Sequence, residues 1–377
     1  MTEPDPASDP RRALLTQTIS VLEDLLLSGT TTASTATLRR LNLTLEQLAE
    51  ARLLRLAAAL RIVIEELKRI QGDPERFSAS RYGLFVDRCW LLAGGTLRAL
   101  AQNDQAALVR LTAPTRGHPL KELSVAVAGV LKRHVPGAFS AFEFRLRLLQ
   151  AATLAPDRVL PVGTPLVWSL VVPAAAGHQF PAEAFLSMRQ KQGFSPAQLL
   201  NHKSLQFSDC SLLDGEPLRV QLGPDSRLLE IEAATPDWRS LLAWDPNDWQ
   251  RRIHSHRPDP LELPVELAQD VLLEDWQIDP FAASTVPGRE NSERCARLQA
   301  LGCSWRVRVD QGELALEQAL QTAASRSPQP ALYASAHVEL GEQVLSPLAL
   351  LGEKPEYITI GKPEFDRVAL VRMLNSR

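Results

Sequence analysis

The sequence predicts an α+β protein: an N-terminal helical bundle, then mixed β-rich modules with hairpins, and a C-terminal helix. Three observations predict it. Apolar residues recur at helical spacing over 11–115; from about residue 116 the period shortens to two; and Pro- and Gly-bearing connections then interrupt short apolar runs. The expected division is a disordered tail over 1–10, a helical domain over 11–115, an α+β middle domain over 116–290 and a small hairpin-rich domain over 291–377.

Leu15, Ile19, Leu22 and Leu26 share one face of a first helix over 14–27, which Gly29 stops by accepting a left-handed backbone. The hydroxyl-rich run 30–37 reads as a connection, with a short helical turn over 39–42. A long helix is expected over 45–70. Thr44 and Gln47 fit a capping box, and Leu53, Leu56, Leu60, Val63, Leu67 and Ile70 form its stripe. Another helix is expected over 80–101. Its interior Gly94-Gly95 costs about 1 kcal/mol per Gly relative to Ala, which calls for close packing or a break.

Beyond residue 120 the pattern alternates. Phe142, Phe144, Leu146 and Leu148 interleave with Glu143, Arg145 and Arg147, giving a strand with one apolar and one basic face. Residues 159–172 read as one or two strands broken at Pro161, Gly163 and Pro165. Leu218–Leu222 and 228–231 flank a turn at Gly223-Pro224-Asp225-Ser226, the pattern of a hairpin. Cys295 sits at helical spacing within 293–301, and Cys303 begins a strand. Two later segments match V-x-x-G-E-x-x-L, at Val309/Gly312/Glu313/Leu316 and Val338/Gly341/Glu342/Leu345. They read as two similar hairpins. A strand over 357–360 and a closing helix over 363–374 complete the chain.

The 377 residues are 45% hydrophobic and 23% charged, with net charge -3, an ordinary globular composition that by itself points to no polyanionic partner. Four cysteines are too few and scattered for a disulfide framework, so a reducing cytosol is expected. The acidic, Pro-containing start lacks signal-peptide character, and no apolar stretch is long enough to span a bilayer. A cytoplasmic location away from membranes is the expectation.

The best metal candidate is His254-Ser255-His256 with Asp259, an H-x-H pair that a strand end could present to one ion. Neighbouring Arg251, Arg252 and Arg257 oppose a cation, and exposed histidines are the simpler reading. Gly193-Phe194-Ser195-Pro196-Ala197 approaches a nucleophile elbow, but Pro196 lacks the N–H that its oxyanion hole needs; Ser195 reads instead as a helix N-cap. No glycine-rich phosphate loop is present.

Charge is unevenly placed. Residues 121–158 hold six Lys/Arg against three Asp/Glu (6 − 3 = +3), whereas 209–279 hold six against sixteen (6 − 16 = −10). Nucleic-acid contact is therefore assigned to Lys132, Arg133, Arg145 and Arg147. Protein docking is assigned to Glu266, Asp270, Glu274, Asp275 and Trp276 in the acidic segment 258–280, whose simpler reading is a surface helix.

Stable shape is easier to assign than convergent reactive groups. The expected function is thus a non-enzymatic scaffold or regulatory subunit of a bacterial multi-protein system, without cofactor; the Ala/Leu/Arg/Pro-rich usage suggests the bacterial source. The alternatives are a nucleic-acid-binding protein using 121–158 and a metal-dependent hydrolase at His254, His256 and Asp259.

Overall fold

A computed structural model describes residues 9–30, 34–72, 74, 77–112, 117–135, 139–173, 182–201, 204–215, 217–231, 236–256, 265–284, 293–310, 313–339 and 341–360. The expected tail and closing helix lie outside the described residues, apart from the tail's last two. The architecture is α+β: helices first, then two β-structures.

Five helices precede the first strand: α1 (Pro10–Ser28), α2 (Thr35–Glu50), α3 (Leu54–Gly72), α4 (Ala79–Gln102) and α5 (Gln105–Thr112). Asp9 caps α1 by accepting from the Arg11 N–H at 2.9 Å, and Gly29 closes it at φ 75°. The helix expected over 45–70 is two helices. Leu53 N–H bonds Leu48 O at 2.9 Å and Arg52 N–H bonds Ala49 O at 3.1 Å, while Arg52 takes φ 59°. That is a Schellman stop with Arg where Gly is usual, so its sequence mark is missing. Thr44 is correspondingly no cap. It is buried inside α2, donating to Arg40 O at 3.0 Å, and Ser34 caps the helix. α4 runs unbroken through Gly94-Gly95, and a Cβ on Gly95 would lie 3.5 Å from Leu111 of α5, an ordinary van der Waals distance, so the packing at Gly95 does not demand glycine.

The first β-structure contains β1 (Gly117–Val135), β2 (Phe139–Leu148), β3 (Ala152–Ala155), β4 (Arg158–Leu160), β5 (Pro165–Pro173), β6 (Ser204–Leu213) and β7 (Leu218–Ile231). β3 and β4 form a separate hairpin. The other five close a barrel in the order β1-β2-β5-β7-β6, with β5 and β7 parallel. Counted along the barrel strands alone, the order is 1-2-3-5-4 returning to 1, that of an OB-type Greek-key barrel. Phe142, Phe144, Leu146 and Leu148 fill it together with Trp168, Phe194 and Phe207. Between β5 and β6, Ser195 opens a 3₁₀ turn, its N–H donating to Gln198 Oε1 at 2.8 Å, consistent with a capping role.

The hairpin expected around 223–226 is instead one continuous strand with a large bulge. Both halves of β7 pair with β6, and four residues of β7 face Asp209 alone. Ser226 Oγ holds the bulge shut, donating to Asp209 O at 2.6 Å and accepting from Gly223 N–H at 2.9 Å. The turn chemistry was legible, but the partner strand was not.

The remaining elements are α6 (Trp238–Leu241), α7 (Pro246–Ser255), β8 (Val265–Leu273), β9 (Gln277–Ile278), β10 (Ala282–Ala283), β11 (Glu293–Ala300), β12 (Cys303–Asp310), α8 (Leu314–Ala324), β13 (Ala331–Glu339), β14 (Glu342–Leu351) and β15 (Pro355–Glu356). The main sheet runs β11-β12-β14-β13-β8, with β12 and β14 parallel. β9 continues β8 past a bend at Asp275 (φ 50°) and pairs with β11 at the far edge, so the eight-stranded sheet curls back on itself as a second, incompletely closed barrel of the same strand order. α8 lies between the third and fourth strands.

Several expectations give way here. The described part of the acidic segment is strand β8 and its bend, not a helix. Cys295 is on strand β11. The return strand expected at 313–316 opens α8, which buries Leu316, Leu320 and Ala323 at helical spacing. The two V-x-x-G-E-x-x-L matches thus cover a strand–helix junction and a true hairpin, and the duplication lies in topology rather than in that motif. Residues 357–360 form a turn whose Tyr357 and Thr359 hydroxyls donate to Val127 O and Val130 O of β1, tying the two barrels together.

The barrels meet where the outer face of β1 packs on β13 and β14. Ala128, Leu272, Tyr333, Leu348 and Ala349 form a shared apolar layer. A Cβ on Gly129 would fall 2.8 Å from the Tyr333 ring and 2.9 Å from Leu348 Cβ. Gly129→Ala should therefore lower stability by about 1–3 kcal/mol through overpacking, read by urea unfolding. A change below about 0.5 kcal/mol would show that the seam yields freely. No helix among the described residues is long and apolar enough to cross a membrane.

Candidate functional site

Arg145 and Arg147 share the outer face of β2, opposite the phenylalanines, as the alternation predicted. That face is internally occupied. Arg147 Nη2 lies 2.7 Å from Asp270 Oδ2 of β8, and the Tyr333 hydroxyl donates to the same oxygen at 2.7 Å. Two candidates from separate assignments, Arg147 for nucleic acid and Asp270 for protein docking, thus pair with each other across the seam. Burial first, then the Asp270 charge, pushes the Tyr333 hydroxyl well above its usual pKa, keeping it a proton donor. Arg145 and Arg133 both reach Glu143 at 3.3 Å, and Lys132 reaches Glu183 at 2.7 Å. Even so, Arg145 Nε and Arg147 Nε and Nη1 are buried without a hydrogen-bond partner.

Trp276 is buried in the second barrel, and its indole N–H donates to Pro330 O at 3.0 Å. Glu266 lies on β8 at the register position of Val338. Glu274 pairs with Arg239 at 2.6 Å, and exposed Asp275 supplies the left-handed bend. Asp237, Trp238, Arg239, Glu274 and Asp275 border an open cleft of about 360 Å³.

His254 and His256 lie at the C-terminal end of α7, not on a strand. The Nδ1 of His254 is 2.7 Å from Gln250 O, and His256 is the helix C-cap. Asp259 lies outside the described residues. Asp245, just upstream, caps α7. Among the described residues no group of three His, Cys, Asp or Glu side chains is placed to hold a metal.

The chain also builds a basic ladder that its assigned candidates did not include. On the outer face of β11 and β12, Arg297 stands directly opposite Arg306, Cys295 opposite Arg308 and Gln299 opposite Ser304. Their sequence neighbours Ala296, Leu298, Trp305 and Val307 fill the barrel. Like charges directly opposite one another cost a few tenths to about 1 kcal/mol. Arg306 reaches Glu342 at 2.7 Å, and Arg308 reaches Glu339 at 2.6 Å. The Arg306 hydrogen bond holds the Glu342 carboxyl below its usual pKa. Glu342 is half exposed, so this pair contributes at most about 1 kcal/mol. The alternation in Trp305-Arg306-Val307-Arg308-Val309 carried the signal for one strand; reading Cys295 on a helix concealed the other.

No protein family matches the chain, and no curated protein is similar to it. Solved structures with some likeness include a replication protein A heterotrimer bound to ssDNA, at 11% identity and TM-score 0.27, covering 70% of this chain and 52% of that one. The chain thus spans about half the length of that relative. A murine DNA-binding protein bound with dsDNA matches at 11% identity and TM-score 0.23, covering 66% of this chain and 100% of that one. A protein from work on the abrogation of activation of pro-inflammatory cytokines matches at 10% identity and TM-score 0.29, covering 65% and 95%. Scores this low establish no shared function.

Proposed function

We propose that the chain binds nucleic acid through the phosphate backbone, along the outer face of β11 and β12. The observation that carries this reading is the Arg297–Arg306 pair, held directly opposite on an accessible sheet face with Arg308 beside it. In an OB-type barrel the second and third strands form the oligonucleotide face, and β11 and β12 hold those places in the second barrel. Fold alone does not assign function, so the weight rests on the charges. Gln299 and Ser304 add hydrogen-bonding groups. Trp305 points into the core, leaving this face without an aromatic platform, which favours phosphate and sugar contact over base stacking.

The test is fluorescence anisotropy with labelled single-stranded DNA, single-stranded RNA and duplex DNA across a salt series. Affinity should fall steeply with salt, at about 0.7–0.9 log units per log salt for each phosphate engaged. Arg297→Glu/Arg306→Glu should weaken binding at least about tenfold, since opposed charge replaces two phosphate contacts. Equal binding by this variant overturns the β11–β12 assignment, and salt-independent or absent binding by the wild-type chain overturns the reading altogether.

A protein partner is the second reading. It is favoured by the open cleft at Asp237, Glu274 and Asp275, whose carboxylates complement a basic segment.

A further inference from the structure

The β13–β14 hairpin sets Glu339 directly opposite Glu342. Two carboxylates facing each other are unfavourable by themselves. Arg308 of β12 offsets this by bonding both, with Nη1 donating to Glu339 Oε2 at 2.6 Å and Nη2 to Glu342 Oε2 at 3.4 Å. Arg306 Nη1 donates to the same Glu342 oxygen at 2.7 Å. One oxygen of Glu342 therefore bridges two guanidinium groups, as a phosphate oxygen of a bound strand would.

The carboxylate is the outer partner in this cluster. The Arg306 side chain is 23% exposed and that of Arg308 15%, against 50% for Glu342. Both Nη atoms of Arg308 are engaged by carboxylates, and its Nε is buried without a hydrogen-bond partner. Arg297, opposite Arg306 on β11, is exposed. Of the three ladder arginines, one is thus open and two are covered by acidic side chains of the same chain.

We propose that Glu339 and Glu342 are an internal phosphate mimic, an autoinhibitory contact that nucleic acid must displace to reach Arg306 and Arg308. It rests on the nucleic-acid reading above and names how that site is regulated. Ion pairs with a half-exposed partner are weak enough to exchange. A strand held first at Arg297 presents its next phosphate to the covered pair at high effective concentration, an advantage that a single small anion lacks.

The experiment titrates the full chain into labelled oligo-dT at fixed salt. It compares the wild type, Glu342→Gln, Glu339→Gln/Glu342→Gln, Arg297→Glu/Arg306→Glu and Glu46→Gln/Glu50→Gln, the last removing two charges from exposed positions of α2. Thermal melts and circular dichroism confirm that each variant is folded. Glu342→Gln should tighten binding about threefold to fivefold and the Glu339→Gln/Glu342→Gln pair about tenfold, while the α2 variant changes it by less than about twofold. A gain no larger than that of the α2 variant, with the ladder variant impaired, overturns the autoinhibition and leaves the function standing. Weaker binding by Glu342→Gln also overturns it, because the carboxylate then orients the arginines for phosphate. Equal binding by the ladder variant removes the site and this inference with it. A wild-type chain that fails to bind overturns both.

Discussion

Asp270→Leu should destabilise the protein by about 3–5 kcal/mol, because it leaves the Arg147 guanidinium buried without its counter-charge. Arg147 is only 6% exposed and Asp270 15%, so water cannot readily replace either partner. The Tyr333 hydroxyl loses its acceptor in the same step. The Arg147 guanidinium also lies 5.8 Å from the centre of the Tyr333 ring, so the three side chains act as one interlock. Removing both charges tests the assignment. Arg147→Met/Asp270→Leu should recover most of the loss, and adding Tyr333→Phe should remove the remaining unpaired hydroxyl. Urea unfolding of the singles, double and triple gives the coupling energy directly. An Asp270→Leu variant within about 0.5 kcal/mol of wild type would show that this contact does not hold the seam.

This interlock marks where sequence reasoning stops. The alternation around Phe142 and Arg147 reveals a strand with one polar face, because a period of two is a local property. Whether that face meets solvent depends on Asp270, 123 residues away, and nothing local encodes the pairing. The regional charges, +3 over 121–158 and −10 over 209–279, were legible as opposites. Their meeting inside one molecule follows from the docking of two barrels.

The misread elements have similar physical causes. β8 and its bend place Val271, Leu273 and Trp276 in the core, while Asp270 and Leu272 face the seam. With one face on the barrel interior and the other on a second barrel, the strand loses its plain alternation and fits a helical period equally well. The break between α2 and α3 hides because Arg52, not glycine, adopts the left-handed turn. The Arg297–Arg306 ladder hides because cross-strand register, not composition, brings the two arginines opposite each other. In each case the local pattern was present, and the partner that gave it meaning lay elsewhere in the chain.

Trp276→Ala should cost about 3–5 kcal/mol, the range for removing a large aromatic side chain from a filled core. Trp276 is 1% exposed and packs within the second barrel. Its indole N–H donates to Pro330 O, and its own carbonyl accepts from Gln329 Nε2 at 2.8 Å, so the residue fastens the bend after β8 to the segment that leads into β13. The left-handed Asp275 before it turns the side chain inward while Glu274 and Asp275 stay at the surface. A docking tryptophan behaves differently: its removal leaves stability near wild type and weakens only the partner complex. Urea unfolding separates the two cases. A loss of several kcal/mol places Trp276 in the framework of the second barrel and leaves Glu274 and Asp275, with the cleft beside them, as the surface of this segment open to a partner. A loss below about 0.5 kcal/mol would return Trp276 to the docking surface.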